Sequence, residues 1–310
     1  MGVRYGSRSR PGTMVSTWLN SLTSGTAPSG YWAGGESTLA VIDKTAFSDD
    51  ATAAIVPTLS AGRRLLTGCA NSGTAAYWGG GFTGSNSDVI DKTTFTDDST
   101  AAIAPTLSAA RRELAGLANS GTAGYWAGGG TSDVIDKTAF SNDATAAIAP
   151  TLSGNRDALA GAANSGTAGY WAGGAAALDV IDKTAFSDDA TAAIAPTLSA
   201  GRQALAGAAN SGTAAYWAGG YTGANSNVID KTAFSDDATA AIIPTLSAAR
   251  RGIAGCAQSG TAAYWAGGYI SGHVNVIDKT AFSDDSTAAI APTLSNSTSY
   301  LAGAANSGTL

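Results

Sequence analysis

The sequence has very few of the side chains that carry acid–base, redox or metal chemistry. Its 310 residues include one His, two Cys and only 13% charged residues. A histidine-rich metal site and a disulfide framework are therefore excluded. Basic residues are also outnumbered, with 17 Lys and Arg against 23 Asp and Glu, for a net charge of −6. A nucleic-acid binder needs a basic excess, so we expect no nucleic-acid partner.

Long apolar runs are missing as well. No segment reaches the roughly 20 apolar residues of a membrane span, so we expect no membrane insertion. The basic N-terminus is followed by a polar stretch rather than by the apolar core of a signal peptide, so none is expected. Glycine is abundant, at 40 residues, but lacks the period of three that marks collagen.

What the sequence does have is one unit repeated six times over residues 31–310. Tyr-Trp pairs begin at intervals of 46, 48, 45, 46 and 48 residues. Val-Ile-Asp-Lys and Pro-Thr-Leu-Ser also recur six times each, and the former contains every lysine of the chain. Because near-identical copies also arise by recent duplication, recurrence locates the unit without showing that a given residue is needed.

Each unit contains four segments that favour β-strands. They read Tyr-Trp-Ala-Gly-Gly, Val-Ile-Asp-Lys-Thr-Ala-Phe, Ala-Thr-Ala-Ala-Ile-Ala-Pro and, innermost, Ala-Leu-Ala-Gly-Ala-Ala-Asn in typical copies. Alanine would also allow helices in the last two, although the closely spaced Gly and Pro favour strands. Four strands at this period are typical of a propeller blade. The sequence thus predicts an all-β, six-bladed β-propeller.

The ends of the chain predict how the ring closes. The first copy lacks an inner strand, whereas the last copy ends with one at Leu301–Asn306, so the C-terminal strand is expected to complete the first blade. Residues 13–24 are the alternative. We divide the chain into residues 1–30, a basic arm, and residues 31–310, the propeller.

The arm carries three basic residues and no acidic one, whereas the propeller carries 14 basic and 23 acidic residues. This contrast indicates an anchor to another subunit or to a larger particle, and a floppy tail is the alternative. The candidate anchor residues are Arg4, Arg8, Arg10 and Trp18.

The order of residues within a copy resembles a known repeat. In the first copy a strand closes with Gly-Gly, a variable loop follows, and then come Asp43, Phe47, Pro57 and Arg63. This order resembles the Kelch repeat, with Phe where Kelch units usually have Trp. Strings such as Ser-Gly-Thr-Ala-Gly-Tyr-Trp-Ala-Gly-Gly are also similar to Kelch-like repeats of tailed phages, especially marine and cyanobacterial ones. That resemblance implies a virion protein of a tail, fibre or head appendage.

No constellation of residues predicts catalysis, so we expect a protein that is not an enzyme and takes no cofactor and no metal. His273 is the single histidine and lies in a loop without a nucleophile signature. The repeated Asp-Asp pairs are better explained as turns than as Ca²⁺ sites, since adjacent carboxylates supply few ligands. Cys69 and Cys256 occupy equivalent inner-strand positions and are expected to be small buried hydrophobes in different blades.

Binding residues are expected where the copies differ. All length variation lies between Gly-Gly and Val-Ile-Asp, where the copies have 5, 7, 4, 5, 7 and 7 residues. The Kelch arrangement places this loop on the same face as the Arg-containing connection before the inner strand. Arg with aromatic residues is typical of interfaces, and drift or structural ion pairs are the alternatives. The candidate binding residues are Arg63, Arg64, Phe82, Arg111, Arg112, Arg156, Arg202, Tyr221, Arg250, Arg251, Tyr269 and His273.

Together these observations lead to one functional expectation. The chain is expected to be a phage virion structural protein, assembled in the host cytoplasm and held on the particle through residues 1–30 by other virion proteins. The face that carries the variable loops and the arginines is expected to contribute to recognition of a host-surface glycan or protein. The alternatives are a purely architectural decoration or connector protein and a cellular Kelch-type interaction module.

Overall fold

The structure, a computed structural model, describes residues 27–307. The candidate anchor residues Arg4, Arg8, Arg10 and Trp18 lie outside this range. Within it there are 24 strands and no helix, and the strands form six antiparallel four-stranded sheets. The predicted all-β, six-bladed propeller is confirmed.

The strands of each blade are as follows. Blade I consists of β1 (Ser29–Ala33), β2 (Ile42–Ala46), β3 (Thr52–Ala54) and β24 (Ala302–Asn306). Blade II consists of β4 (Thr67–Asn71), β5 (Ala75–Gly79), β6 (Ile90–Thr94) and β7 (Thr100–Ala102). Blade III consists of β8 (Ala115–Asn119), β9 (Ala123–Ala127), β10 (Ile135–Ala139) and β11 (Thr145–Ala147).

The other three blades repeat this pattern. Blade IV consists of β12 (Ala160–Asn164), β13 (Ala168–Ala172), β14 (Ile181–Ala185) and β15 (Thr191–Ala193). Blade V consists of β16 (Ala206–Asn210), β17 (Ala214–Ala218), β18 (Ile229–Ala233) and β19 (Thr239–Ala241). Blade VI consists of β20 (Ala254–Gln258), β21 (Ala262–Ala266), β22 (Ile277–Ala281) and β23 (Thr287–Ala289).

The ring closes as predicted, because β24 pairs with β1 and supplies the inner strand of blade I. Tyr31 lies opposite Ala304 in this antiparallel register. The outer strands are shorter than the sequence predicts, with three residues each. In each blade an isoleucine follows the outer strand, and a proline comes two residues later. Because proline has no backbone N–H, the pairing does not continue along this edge.

Small side chains are needed where the inner strands crowd the axis. A Cβ on Gly116 would lie 2.7 Å from the carbonyl oxygen of Gly68 in the neighbouring inner strand. The equivalent glycine of every inner strand meets its neighbour's carbonyl oxygen in the same way. Because no side chain fits at this position, the inner strands approach one another closely.

The Tyr-Trp pair supplies the core on both faces of a blade, since successive side chains in a strand point to opposite faces. Trp78 of blade II packs among apolar side chains of blade I, and its Nε1–H donates to Thr93 Oγ1 at 2.9 Å. Tyr31 of blade I points the other way and stacks on Phe95 of blade II at a centroid distance of 5.0 Å. Each blade boundary is thus filled by one Trp, one Tyr and one Phe.

Candidate functional site

Every lysine of the chain belongs to a structural contact between neighbouring blades. Each Lys lies over the Tyr opposite it in its own blade, 5.1 Å from the ring centroid, and both side chains bond to an Asp of the next blade. The six triads are Tyr31, Lys44 and Asp98; Tyr77, Lys92 and Asp143; Tyr125, Lys137 and Asp189; Tyr170, Lys183 and Asp237; Tyr216, Lys231 and Asp285; and Tyr264, Lys279 and Asp50.

This network also explains the Asp-Asp pairs. The first Asp shapes the turn, as when Asp49 Oδ1 accepts the Ala51 N–H at 3.1 Å. The second Asp adopts a positive φ, near 61° for Asp50, and reaches the triad of the preceding blade. The turn interpretation is therefore correct for the first Asp, whereas the role of the second escaped sequence reasoning. Its signal was that lysine occurs once per copy and nowhere else.

Five of the predicted binding arginines are structural. They are at most 4% exposed, and each forms a salt bridge with the buried Asp of Val-Ile-Asp in the blade that its connection enters. Burial lowers the pKa of each guanidinium, and the paired carboxylate opposes that shift. A ligand on the surface cannot reach these groups, so the five arginines do not belong among the binding residues. They are Arg63 (with Asp91), Arg111 (with Asp136), Arg156 (with Asp182), Arg202 (with Asp230) and Arg250 (with Asp278).

The residue after each buried Arg points to the surface and pairs with a variable loop. The three long loops belong to blades II, V and VI, and the aromatic residue of each forms an antiparallel β-bridge with the connection that precedes it. The bridges are Arg64 with Phe82, Gln203 with Tyr221, and Arg251 with Tyr269. The expectation that connection and loop share one face is thus met, and we call this surface the loop face.

On blades II and III the loop face carries an Arg–Phe–Arg stack. Arg64 and Arg112 lie over the ring of Phe82, with their guanidinium carbons 5.3 and 5.1 Å from its centroid. Arg64 also forms a salt bridge with Glu36 of blade I. The hydrogen bond with Glu36 raises the pKa of Arg64. Sequence reasoning missed Glu36, whose short loop carried no aromatic or basic signal.

On blades V and VI the order is reversed, with one arginine between two tyrosines. The Arg251 guanidinium carbon lies 5.0 Å from the Tyr221 centroid and 4.8 Å from the Tyr269 centroid. Asn225 joins the two loops: its amide N–H groups donate to the carbonyl oxygens of Tyr269 and Ile270, and its oxygen accepts from Arg251 at 3.3 Å. We call Tyr221, Asn225, Arg251 and Tyr269 the tyrosine clamp.

His273 is exposed at the edge of this clamp. Its ring meets the Tyr269 ring edge-on, at a centroid distance of 5.4 Å, and its Nδ1 lies 3.0 Å from Ser299 Oγ. His273 occupies the loop position that Asn225 holds one blade earlier, four residues after the aromatic residue. Asn225 and Ser299 were both missed, although this fixed spacing from the aromatic residue would have singled out Asn225.

The centre of the loop face is closed by a ring of backbone hydrogen bonds. Six residues with φ between 51° and 61° each donate an N–H to the carbonyl oxygen of the preceding blade's equivalent, at 2.7–2.8 Å. The ring consists of Leu65, Glu113, Ala158, Ala204, Gly252 and Tyr300. It lines an axial cavity of about 110 Å³. Burial, with some repulsion from Asp157, raises the pKa of Glu113 at its rim.

Other candidate chemistry is sparse among residues 27–307. No group of three or more His, Cys, Asp or Glu side chains is arranged to hold a metal ion there. Cys69 and Cys256 are free and buried in blades II and VI, and burial raises the pKa of both thiols. In the same range no helix is long and apolar enough to span a membrane.

No protein-family model matches the chain, and no curated protein matches it.

Proposed function

We propose that this protein is a non-enzymatic binding module of a tailed-phage virion, and that its loop face contacts the host surface. A propeller fits a module of this kind, because a rigid scaffold can present variable loops on one face. The observation that carries the proposal is the placement of the two Arg–aromatic stacks. The six blades share one core, yet every aromatic residue of the two stacks comes from one of the three long loops.

The composition of this face supports binding rather than catalysis. Arginine and aromatic side chains are enriched at energetically important interface positions. They also suit sugars, through the aromatic rings, and carboxylates, through paired guanidinium hydrogen bonds. The only histidine, His273, has Ser299 as its hydrogen-bond partner, but among residues 27–307 no carboxylate bonds to its other ring nitrogen, as a Ser–His–Asp triad would require.

The assignment to a virion rests on the similarity of the repeated strings to Kelch-like phage repeats. In this proposal the basic residues 1–30 attach the acidic propeller to another virion protein. The charge contrast between the arm and the propeller supports that attachment.

A second function, as a purely architectural decoration or connector protein, is favoured by a different observation. Val56 and Ile243 are each 96% exposed at the outer ends of blades I and V, where the other four copies have Ala. Large apolar side chains at the rim suit contact with another subunit. In this alternative the propeller is a stable knob on the particle, and the loop face binds nothing.

Binding of the purified full chain to a glycan array, and adsorption of virions that carry it, would test the two functions. Recognition predicts array binding that is lost in Arg112→Gln and Tyr221→Ala but kept in Val56→Ala. Virions that lack the protein and become unstable, yet adsorb normally, would instead establish the architectural function. Turnover of any glycan or ester by the purified chain would contradict both.

A further inference from the structure

The positive charges of the described residues are almost completely paired. Twelve of the 14 basic residues in this range form salt bridges: six Lys, the five buried Arg and Arg64. The exceptions are Arg112 and Arg251. Arg112 still lies near the carboxyl groups of Glu113 and Asp157, and its charge lowers the pKa of both against the larger effect of burial. Arg251 therefore stands apart as a cation with no carboxylate partner among residues 27–307.

The surroundings of Arg251 hold it in place without neutralising it. Its one side-chain hydrogen bond runs from an Nη1–H to the amide oxygen of Asn225. Asn225 is itself fixed, since its N–H groups bond to two backbone carbonyls of the next loop. The Nε–H and Nη2–H donors of Arg251 have no partner among the described residues. They form the edge of the guanidinium that matches a carboxylate with two parallel hydrogen bonds.

The two tyrosines add neutral donors beside this edge. The hydroxyl groups of Tyr221 and Tyr269 form no hydrogen bond with another described residue, and both side chains are partly exposed. The clamp thus offers one fixed cation, two phenolic hydroxyls and aromatic surface, and no carboxylate of residues 27–307 forms a salt bridge with it. Such a set suits a ligand that carries one carboxylate among many hydroxyls.

We infer that the tyrosine clamp binds the carboxylate of an acidic sugar, such as a uronic or sialic acid residue of a polysaccharide. Arg251 receives the carboxylate, Asn225 positions Arg251, and the tyrosines contact the sugar ring and its hydroxyls. The inference rests on the proposed function of the loop face and specifies its ligand. The aromatic rings and phenolic hydroxyls beside Arg251 favour a sugar over an acidic polypeptide, because a sugar offers a ring face to the aromatic surface and hydroxyls to the phenols.

Calorimetric titration of the full chain with oligosaccharides of galacturonic, glucuronic and sialic acid would test the inference. Each probe is paired with its carboxyl-reduced, neutral counterpart. The key variant is Arg251→Gln, which copies Gln203 at the same position one blade earlier and so preserves a residue that the fold accepts. Val56→Ala is the matched control, because it lies at the rim and copies the Ala of four other blades.

We expect at least one acidic probe to bind the wild type about tenfold or more tightly than it binds Arg251→Gln, since charge-assisted hydrogen bonds are the strong ones. Reducing the carboxyl group should weaken wild-type binding by a similar factor and change little further in the variant. Raising the NaCl concentration should weaken wild-type binding more than binding by the variant. Val56→Ala should bind like the wild type.

Three results would overturn the inference. These are equal affinity of wild type and Arg251→Gln for the acidic probe, equal affinity of the wild type for the acidic and reduced probes, and no binding of any acidic probe. If neutral glycans on the array still bind the loop face, only the carboxylate specificity fails and the proposed function stands. If no glycan binds and virions adsorb without the protein, the proposed function fails as well.

Discussion

Leu117 of blade III fills the space that a side chain on Gly169 of blade IV would need. Both Cδ atoms of Leu117 lie 2.7 Å from the position of a Cβ on Gly169. The same compensation of volume occurs at each blade boundary, where an inner-strand Leu or Cys meets Gly and an inner-strand Ala meets Ala. The other pairs are Cys69 with Gly124, Cys256 with Gly30, Ala162 with Ala215, Ala208 with Ala263, and Ala304 with Ala76.

Gly169→Ala should therefore lower the free energy of unfolding by about 1–3 kcal/mol through overpacking. Leu117→Ala should lower it by about 2–5 kcal/mol through the cavity that it leaves. The double variant should lose less unfolding free energy than the two single variants lose together, because it recreates the Ala–Ala pair of three other boundaries. Urea unfolding of all four proteins measures the coupling. Strict additivity would contradict the volume argument.

The contact between Lys279 of blade VI and Asp50 of blade I, at 2.9 Å, closes the ring. Asp50→Asn removes the anion that holds both Lys279 and Tyr264. We expect it to lower the unfolding free energy by about 1–2 kcal/mol, since the pair is partly exposed. Hydrogen exchange should accelerate most in β2 and β21, the strands on either side of this boundary.

Asp189→Asn is the matched control for that experiment, because it breaks the same triad between blades III and IV. Its global cost should be similar, but its accelerated exchange should lie in β9 and β14. If both variants show the same exchange pattern, the triads do not act on single boundaries.

The Tyr–Lys–Asp triads predict a loss of stability at alkaline pH. Burial, together with the hydrogen bond to an Asp, raises the pKa of Tyr125, Tyr170 and Tyr216 to about 12, from a usual value of 10. Between pH 10 and 12 the unfolded chain has lost these protons while the folded chain keeps them. Stability therefore falls as pH rises, by about 1.4 kcal/mol per pH unit for each group.

Three of the lysines, Lys137, Lys183 and Lys231, act in the same direction, because their pKa values are raised. Burial alone would lower the pKa of Lys137, but its hydrogen bonds within the triad raise it, and that stabilisation is lost as pH rises through the folded-state value. Thermal unfolding followed from pH 8 to pH 12 measures the combined slope. Replacing Tyr125 by Phe should reduce the slope, and a melting temperature that is flat up to pH 12 would contradict the prediction.

Blade I lacks the buried arginine of the other five blades, because Thr298 occupies that position. Its aspartate, Asp43, is 6% exposed and accepts hydrogen bonds from the backbone N–H and hydroxyl of Ser295 instead. Burial raises the pKa of Asp43, and the bonds from Ser295 only partly oppose the shift. The carboxylate is desolvated without a counter-ion in the part of the chain that the structure describes.

Thr298→Arg should restore the missing pair. We expect the pKa of Asp43 to fall and the melting temperature to rise, since the cost of burying this carboxylate is already present in the wild type. Carbon-13 titration of the Asp43 carboxyl, alongside calorimetric melting, measures both effects. A folded variant with an unchanged pKa of Asp43 would show that the new side chain does not reach it.

The sequence and the structure agree on the fold because the signals for it are local and repeated. Alternating Tyr and Trp predict a strand with two buried faces, and the Ala-Gly segment predicts an inner strand that needs small side chains. The unmatched strand at Leu301–Asn306 predicts the closure of blade I. None of these inferences requires knowledge of which residues meet across a blade boundary.

The binding residues were only partly predictable, because of two adjacent arginines in one connection one is buried and the other lies at the surface. Arg63 is buried against Asp91, which lies 28 residues away, whereas Arg64 faces solvent beside Phe82. The first Arg recurs in five copies whereas the second position varies, which favours solvent or a ligand for the second but leaves open whether the first turns inward. That choice depends on the path of the connection into the next blade.

By itself, then, the sequence determined the all-β propeller, its six blades, its closure and the face on which its copies differ. Only the tertiary structure decided which charged side chains form ion pairs within the scaffold and which do not. Among the described residues it leaves Arg251 as the cation without a carboxylate partner. The physical reason is that an ion pair depends on the distance between two charges, and here the partners come from different blades. Periodicity predicts the blades, but the contacts between them exist only once the ring has closed.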